Sequence, residues 1–212
     1  MNEIWTEVRA ERVALADDLT DLRSNEWSTP SLCEGWDVHD VLAHLVDSAK
    51  ETRLRFLYRL ARARFDFDEA NARGLAVERA ADPAATLAAF RAVVDRTTTP
   101  PAPKETRLVE AFVHGEDIRR PLGIARVYPA PLVVRAIEFQ ARTSASMGGG
   151  RTLVASTNLV ASDADLDLGD GPRVEGPAIS ILLAASGRPA ALADLSGEGV
   201  DLLARRLAHD GR

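Results

Sequence analysis

Up to about residue 147 the apolar positions recur at steps of three and four, the spacing that lines one face of a helix. Ile4, Val8, Ala14, Leu15, Leu19 and Leu22 mark a first helix over residues 2–22. A loop over 25–36 is punctuated by Pro30 and Gly35. Asp37 is a ready N-cap, and Asp40 three residues on suits the positive end of the helix dipole. A long second helix is therefore predicted from Val38 to about Arg64, with Phe65-Asp66-Phe67-Asp68 breaking its pattern. Residues 83–96 form a further helix, with Pro83 near its start and Leu87, Phe90, Val93 and Val94 on its apolar stripe. The stretch 97–103 contains Pro100, Pro101 and Pro103 and cannot be helical, because proline lacks the N–H donor and fixes φ. Helical spacing resumes over 105–120, with Pro121 and Gly123 as stop signals, and again over 131–146.

Beyond Met147-Gly148-Gly149-Gly150 the texture changes. Consecutive glycines lose much backbone entropy on ordering, so this run is the expected domain boundary. Residues 152–160 and 164–168 are rich in strand formers, Gly169-Asp170-Gly171-Pro172 makes a turn, and Val174 belongs to a third short strand. Residues 177–186 and 200–208 read as helices. The expected architecture is mainly α: a helical domain over 1–147 followed by a small α+β domain over 151–212. A piece of that size is marginal alone and is expected to pack on the helical part.

Composition narrows the function classes. The chain has 212 residues, 26 Lys+Arg against 32 Asp+Glu, a net charge of −6, and 46% apolar residues. The acidic balance disfavours a general nucleic-acid binder, and the apolar fraction excludes a disordered chain. With one cysteine, Cys33, an internal disulfide and a cysteine-rich zinc site are both excluded. Cys33 reads as a small loop hydrophobe, since nothing near it in sequence marks a low-pKa thiolate. No apolar run approaches the length of a membrane span, and the first residues lack the pattern of a signal peptide, so the expected location is the cytoplasm. Phosphate-binding glycine loops, a nucleophile elbow and a His-Glu-x-x-His motif are absent. The run Arg53, Arg55, Arg59, Arg62, Arg64 reads as a solvated helix face.

The candidate chemistry lies with the histidines. Glu110 and His114 stand four residues apart, which puts their Cβ atoms about 5–6 Å apart on one helix face. That spacing suits two ligands converging on one metal, with bonds of about 2 Å. The same spacing also occurs as a simple salt-bridged pair. His44 has Val41, Leu45 and Ser48 as wheel neighbours and so faces the interior, where a histidine is also commonly a hydrogen-bonded core residue. His44 on one helix and Glu110 with His114 on another would supply three ligands, as helical bundles often do. Asp117 shares the Glu110–His114 stripe. Glu116, Arg119 and Arg120 read as a solvated or ion-paired helix end, His39 as a solvent-facing residue in a first helical turn, and His209 as a mobile residue near the terminus.

Two stretches carry a resemblance. Trp27-Ser28-Thr29-Pro30-Ser31-Leu32-Cys33-Glu34-Gly35-Trp36-Asp37-Val38-His39-Asp40-Val41-Leu42-Ala43-His44-Leu45 resembles the signature loop and second helix of the mycothiol-dependent maleylpyruvate isomerase family, part of the DinB/YfiT-like superfamily of metal-binding four-helix bundles. Val113-His114-Gly115-Glu116-Asp117-Ile118-Arg119-Arg120-Pro121-Leu122-Gly123 resembles a second signature of that family. Residues 176–200 are similar, more loosely, to its small C-terminal domain.

The resemblance implies metal ligands at His44, Glu110 and His114, with zinc as the usual ion and nickel compatible with the same donors. It also implies mycothiol, a thiol of actinobacteria, as cofactor, and a small-molecule electrophile as substrate. In such an isomerase a metal-stabilised thiolate would add to the conjugated double bond of maleylpyruvate. The bond, now single, would rotate, and expulsion of the thiol would re-form it trans. A thiol S-transferase would begin with the same addition. Asp117 is then the candidate to orient His114 or to accept the thiol proton. Two further readings of the same bundle are a non-enzymatic metal- or ligand-binding protein and a metal-dependent hydrolase using Glu116 or Asp117. No nucleic-acid or membrane partner is expected.

Overall fold

A computed structural model describes residues 3–62 and 67–210. The helices are α1 (Glu3–Asp18), α2 (Val38–Ala49), α3 (Arg53–Arg62), α4 (Phe67–Glu78), α5 (Pro83–Arg91), α6 (Glu105–Leu122), α7 (Ala130–Arg142), α8 (Ala178–Ala185) and α9 (Val200–Asp210). Three short strands, β1 (Asn158–Ala161), β2 (Asp167–Leu168) and β3 (Arg173–Gly176), lie between α7 and α8. The mainly helical class with a small C-terminal sheet is the one expected. The chain divides into two units, residues 1–107 with 114–125, and residues 108–113 with 126–212.

In the first unit, α2 packs against α4 and α5. Val38, Val41, Leu42, Leu45, Val46 and Ala49 of α2 are buried with Leu15, Leu19, Trp27, Leu87, Phe90 and Ile118. α2 starts where Asp37 accepts a hydrogen bond from the Asp40 N–H while the Asp40 side chain accepts from the Asp37 N–H, a closed capping box. This start matches the expected N-cap, and it fixes the phase that carries His44 inward.

The long second helix does not hold. α2 ends at Ala49, whose carbonyl accepts from Thr98 Oγ1 at 2.6 Å. Thr52 Oγ1 then accepts from the Arg55 N–H at 3.2 Å and starts α3. α4 was not foreseen, because no apolar stripe marks it. Gly74 explains its placement: a Cβ there would lie 2.1 Å from Arg59 and from Asp47 Oδ2. Asp47 is buried in this corner, accepting from Arg55 at 2.9 Å and Arg59 at 2.6 Å. Part of the arginine run is thus the counter-charge of a buried carboxylate, rather than a wholly solvated face; Arg64 lies outside the described residues, as do Phe65 and Asp66 of the expected break.

In the second unit, β1 is central, pairing antiparallel with β2 and parallel with β3 in the register Leu159↔Val174. Leu159, Val174, Ile181 and Leu182 are buried. Asp163 Oδ1 accepts from the Ala178 N–H at 2.8 Å and anchors the start of α8. The glycine run lies close against its neighbours: a Cβ at Gly150 would stand 2.0 Å from the Ala185 carbonyl oxygen. Among the described residues, no helix is long and apolar enough to cross a membrane.

Candidate functional site

The loop before α2 is closed as a tight structure. Pro30 and Asp37 form an isolated antiparallel bridge, the Ser31 N–H donates to the Trp36 carbonyl at 2.9 Å, and the Trp36 N–H donates to the Cys33 carbonyl at 3.1 Å. Gly35 takes the left-handed conformation this turn needs, with φ 77°. Ser31 Oγ accepts from the Cys33 N–H at 3.1 Å and donates to the Trp36 carbonyl at 2.8 Å. Cys33 and Trp36 are therefore held at set positions on the rim of the bundle.

Pro121 joins this loop to α6. It lies in the last turn of that helix and has no N–H. The Asp117 carbonyl, four residues earlier, thus has no donor from its own helix at that position. The Leu32 N–H takes the place, at 3.2 Å. The proline read as a stop signal does not stop the helix, which runs to Leu122 and ends on left-handed Gly123. Its chemical effect is to open one carbonyl to the Leu32 loop, far away in sequence.

This junction brings together Cys33, His114 and Asp117, whose potential ligand atoms all lie within 4.8 Å of one another. Asp117 is fully buried. Its Oδ2 accepts from His114 Nδ1 at 2.9 Å and from Cys33 Sγ at 3.0 Å. Burial pulls the His114 imidazole down, but the hydrogen bond and charge of Asp117, with Cys33 adding to them, outweigh it and push its pKa up to about 9. Cys33 is thus part of the cluster and not the inert loop residue expected. The only hint in the sequence was its place between the two tryptophans of a tight Pro-to-Gly loop.

His44 meets the same cluster from α2. Its ring lies 4.9 Å from that of His114, edge to face, and 5.2 Å from that of Trp36. The inward orientation read from its wheel neighbours is the one observed. Glu110 is half-buried one turn before His114 on α6, and is not one of the three residues gathered at Asp117.

The charged residues that follow on α6 are ion-paired. Arg119 is fully buried and ion-paired with Glu11 at 3.0 Å and Asp18 at 2.7 Å. Arg120 pairs with Glu116 at 2.8 Å. The expected ion-paired helix end is real, but it is buried rather than solvated. His39 does not face solvent: it is 2% exposed, with Nε2 donating to Thr86 Oγ1 at 2.7 Å and Arg79 donating to Nδ1. Burial first, and the Arg79 charge second, lower its pKa. His209 is exposed near the end of α9.

Fold and side chains together define a helical protein with a cluster of imidazole, carboxylate and thiol donors at one helix junction. Residues 8–119 match the family described as the mycothiol maleylpyruvate isomerase N-terminal domain. Since the match spans over half of the chain, the protein belongs to this enzyme family. A crystal structure of a histidine-to-alanine variant of the mycothiol-dependent maleylpyruvate isomerase is similar, with a TM-score of 0.63 and 19% identity over 92% of both chains. The unsubstituted enzyme's structure is similar at a TM-score of 0.59 and 18% identity, again over 92% of both chains. A search of curated proteins found no match.

Proposed function

We propose that the protein is a metal- and mycothiol-dependent enzyme that acts on a small electrophile, either isomerising a maleylpyruvate-type substrate or transferring the thiol. The observation that carries this reading, in a chain of this family, is the pairing of His44 and His114 at 4.9 Å beside Asp117. Two imidazoles bound tetrahedrally to one ion at about 2 Å have ring centres roughly 5 Å apart, so the pair fits a shared cation.

His44 and His114 would be ligands, with Glu110 as the third from the turn before His114. Asp117 accepts the His114 Nδ1 hydrogen, which leaves Nε2 as the donor nitrogen and fixes the ring's tilt. Trp36 packs on the His44 ring. A bound zinc or nickel ion would supply the positive charge that holds a thiol as thiolate at neutral pH. Imidazole and carboxylate donors suit such borderline ions.

The test is turnover of maleylpyruvate, and of a panel of electrophiles, by the metal-loaded protein with and without mycothiol. Thiol-dependent conversion with the thiol recovered is the isomerase; conversion with thiol consumed into product is the transferase. Turnover undiminished by omitting the thiol would contradict the proposal and favour a hydrolase. No turnover with tight metal binding would favour a binding protein.

A further inference from the structure

Burying a carboxylate is costly unless hydrogen bonds replace the lost water. Asp117 Oδ2 receives two donors, His114 Nδ1–H and Cys33 Sγ–H. Cys33 Sγ also lies 3.8 Å from His114 Nδ1, within hydrogen-bond reach for sulfur, so thiol, imidazole and carboxylate form one triangle. Cys33 is held from behind by Ser31, by the Gly35 turn, and by the Leu32 N–H on the carbonyl that Pro121 leaves open. The loop therefore delivers a thiol hydrogen to the one carboxylate oxygen that orients His114.

We propose that Cys33 is a positioning residue of the metal site: its thiol steadies Asp117 Oδ2 against His114 Nδ1 and so sets the ring that would bind the ion. This rests on the metal reading above. It assigns Cys33 a part as hydrogen-bond donor, not as metal ligand, nucleophile or redox group.

The experiment measures zinc affinity of the full chain, by competition with a chromophoric chelator, for wild type, Cys33→Ala and Cys33→Ser. Loss of a group that orients a metal-bound histidine typically weakens affinity about 10–100-fold. Cys33→Ala is expected to lose roughly 10-fold, at the low end because Asp117 itself remains. Cys33→Ser keeps a hydroxyl donor and is expected to stay close to wild type, which a purely space-filling role for sulfur would not produce. Cobalt-loaded wild type and Cys33→Ser should share one visible spectrum, with no thiolate-to-cobalt charge-transfer band.

Equal affinity of Cys33→Ala and wild type would overturn the proposal while leaving the metal site intact. A charge-transfer band in wild type that Cys33→Ser lacks would also overturn it, making Cys33 a ligand. Failure of wild type itself to bind zinc would fall on the metal reading and take this proposal with it. Should Cys33→Ala not fold, the affinity of Cys33→Ser and the wild-type cobalt spectrum still decide.

Discussion

His39 is buried and His114 half-buried, both beside carboxylates, yet their surroundings drive them in opposite directions. Burial pulls each imidazole toward the neutral form. At His39 the nearest partner is the Arg79 guanidinium, which adds to that pull; Asp37 and Asp40 are occupied by the same arginine, at 2.9 and 2.6 Å. At His114 the partner is Asp117, held in place by Cys33, and the balance reverses. Partner identity thus separates a histidine kept neutral from one held protonated, where burial alone would not. His39, bonded at both nitrogens, has no lone pair to offer a ligand. His114 is bonded to Asp117 at Nδ1 and, with its pKa raised to about 9, would have to release the Nε2 proton to take the ion proposed above.

Exchanging the two histidines for alanine should break this comparison most sharply. His114→Ala should lose stoichiometric metal in elemental analysis. His39→Ala should keep a full equivalent of metal but lose about 1–3 kcal/mol of stability in urea unfolding, since it opens a cavity and takes a hydrogen-bond partner from buried Thr86. Metal retained by His114→Ala, or lost by His39→Ala, would collapse the distinction.

A smaller effect is expected from Asp117→Asn. The amide keeps the shape, but its NH2 can face His114 as a donor and leave the ring orientation unfixed. Zinc affinity should fall about 10–100-fold, measured by chelator competition, without loss of the fold.

Smallest is a pH effect carried by His39. Its folded-state pKa lies below the ordinary 6.5, so below that pH the unfolded chain takes up a proton that the folded chain refuses. Stability should therefore decline as pH falls below about 6.5, and His39→Gln should flatten that part of the urea-midpoint profile. An identical slope in His39→Gln would assign the effect elsewhere.

What the sequence reveals follows the range of the forces involved. The capping box at Asp37 and Asp40 and the inward phase of His44 are local, set within a few residues, and both were legible. The break after Ala49 depends on Thr98, and the placement of α4 depends on Gly74 meeting Asp47, so neither shows in periodicity. The burial of Arg119 needs Glu11 and Asp18 from α1 and its end. The part Cys33 takes is hidden for the same reason: its partners are 81 and 84 residues away. Pro121 reads locally as a helix breaker, although its missing N–H is what lets Leu32 tie the Cys33 loop to α6.

The claim on which the functional reading depends is that one ion is held by His44 and His114. X-ray absorption at the zinc edge of the zinc-loaded, thiol-free protein tests it most directly. The account predicts a first shell of nitrogen and oxygen at about 2.0–2.1 Å, with imidazole scattering that weakens in His44→Ala. A sulfur neighbour at about 2.3 Å would move the ion onto Cys33 and contradict it.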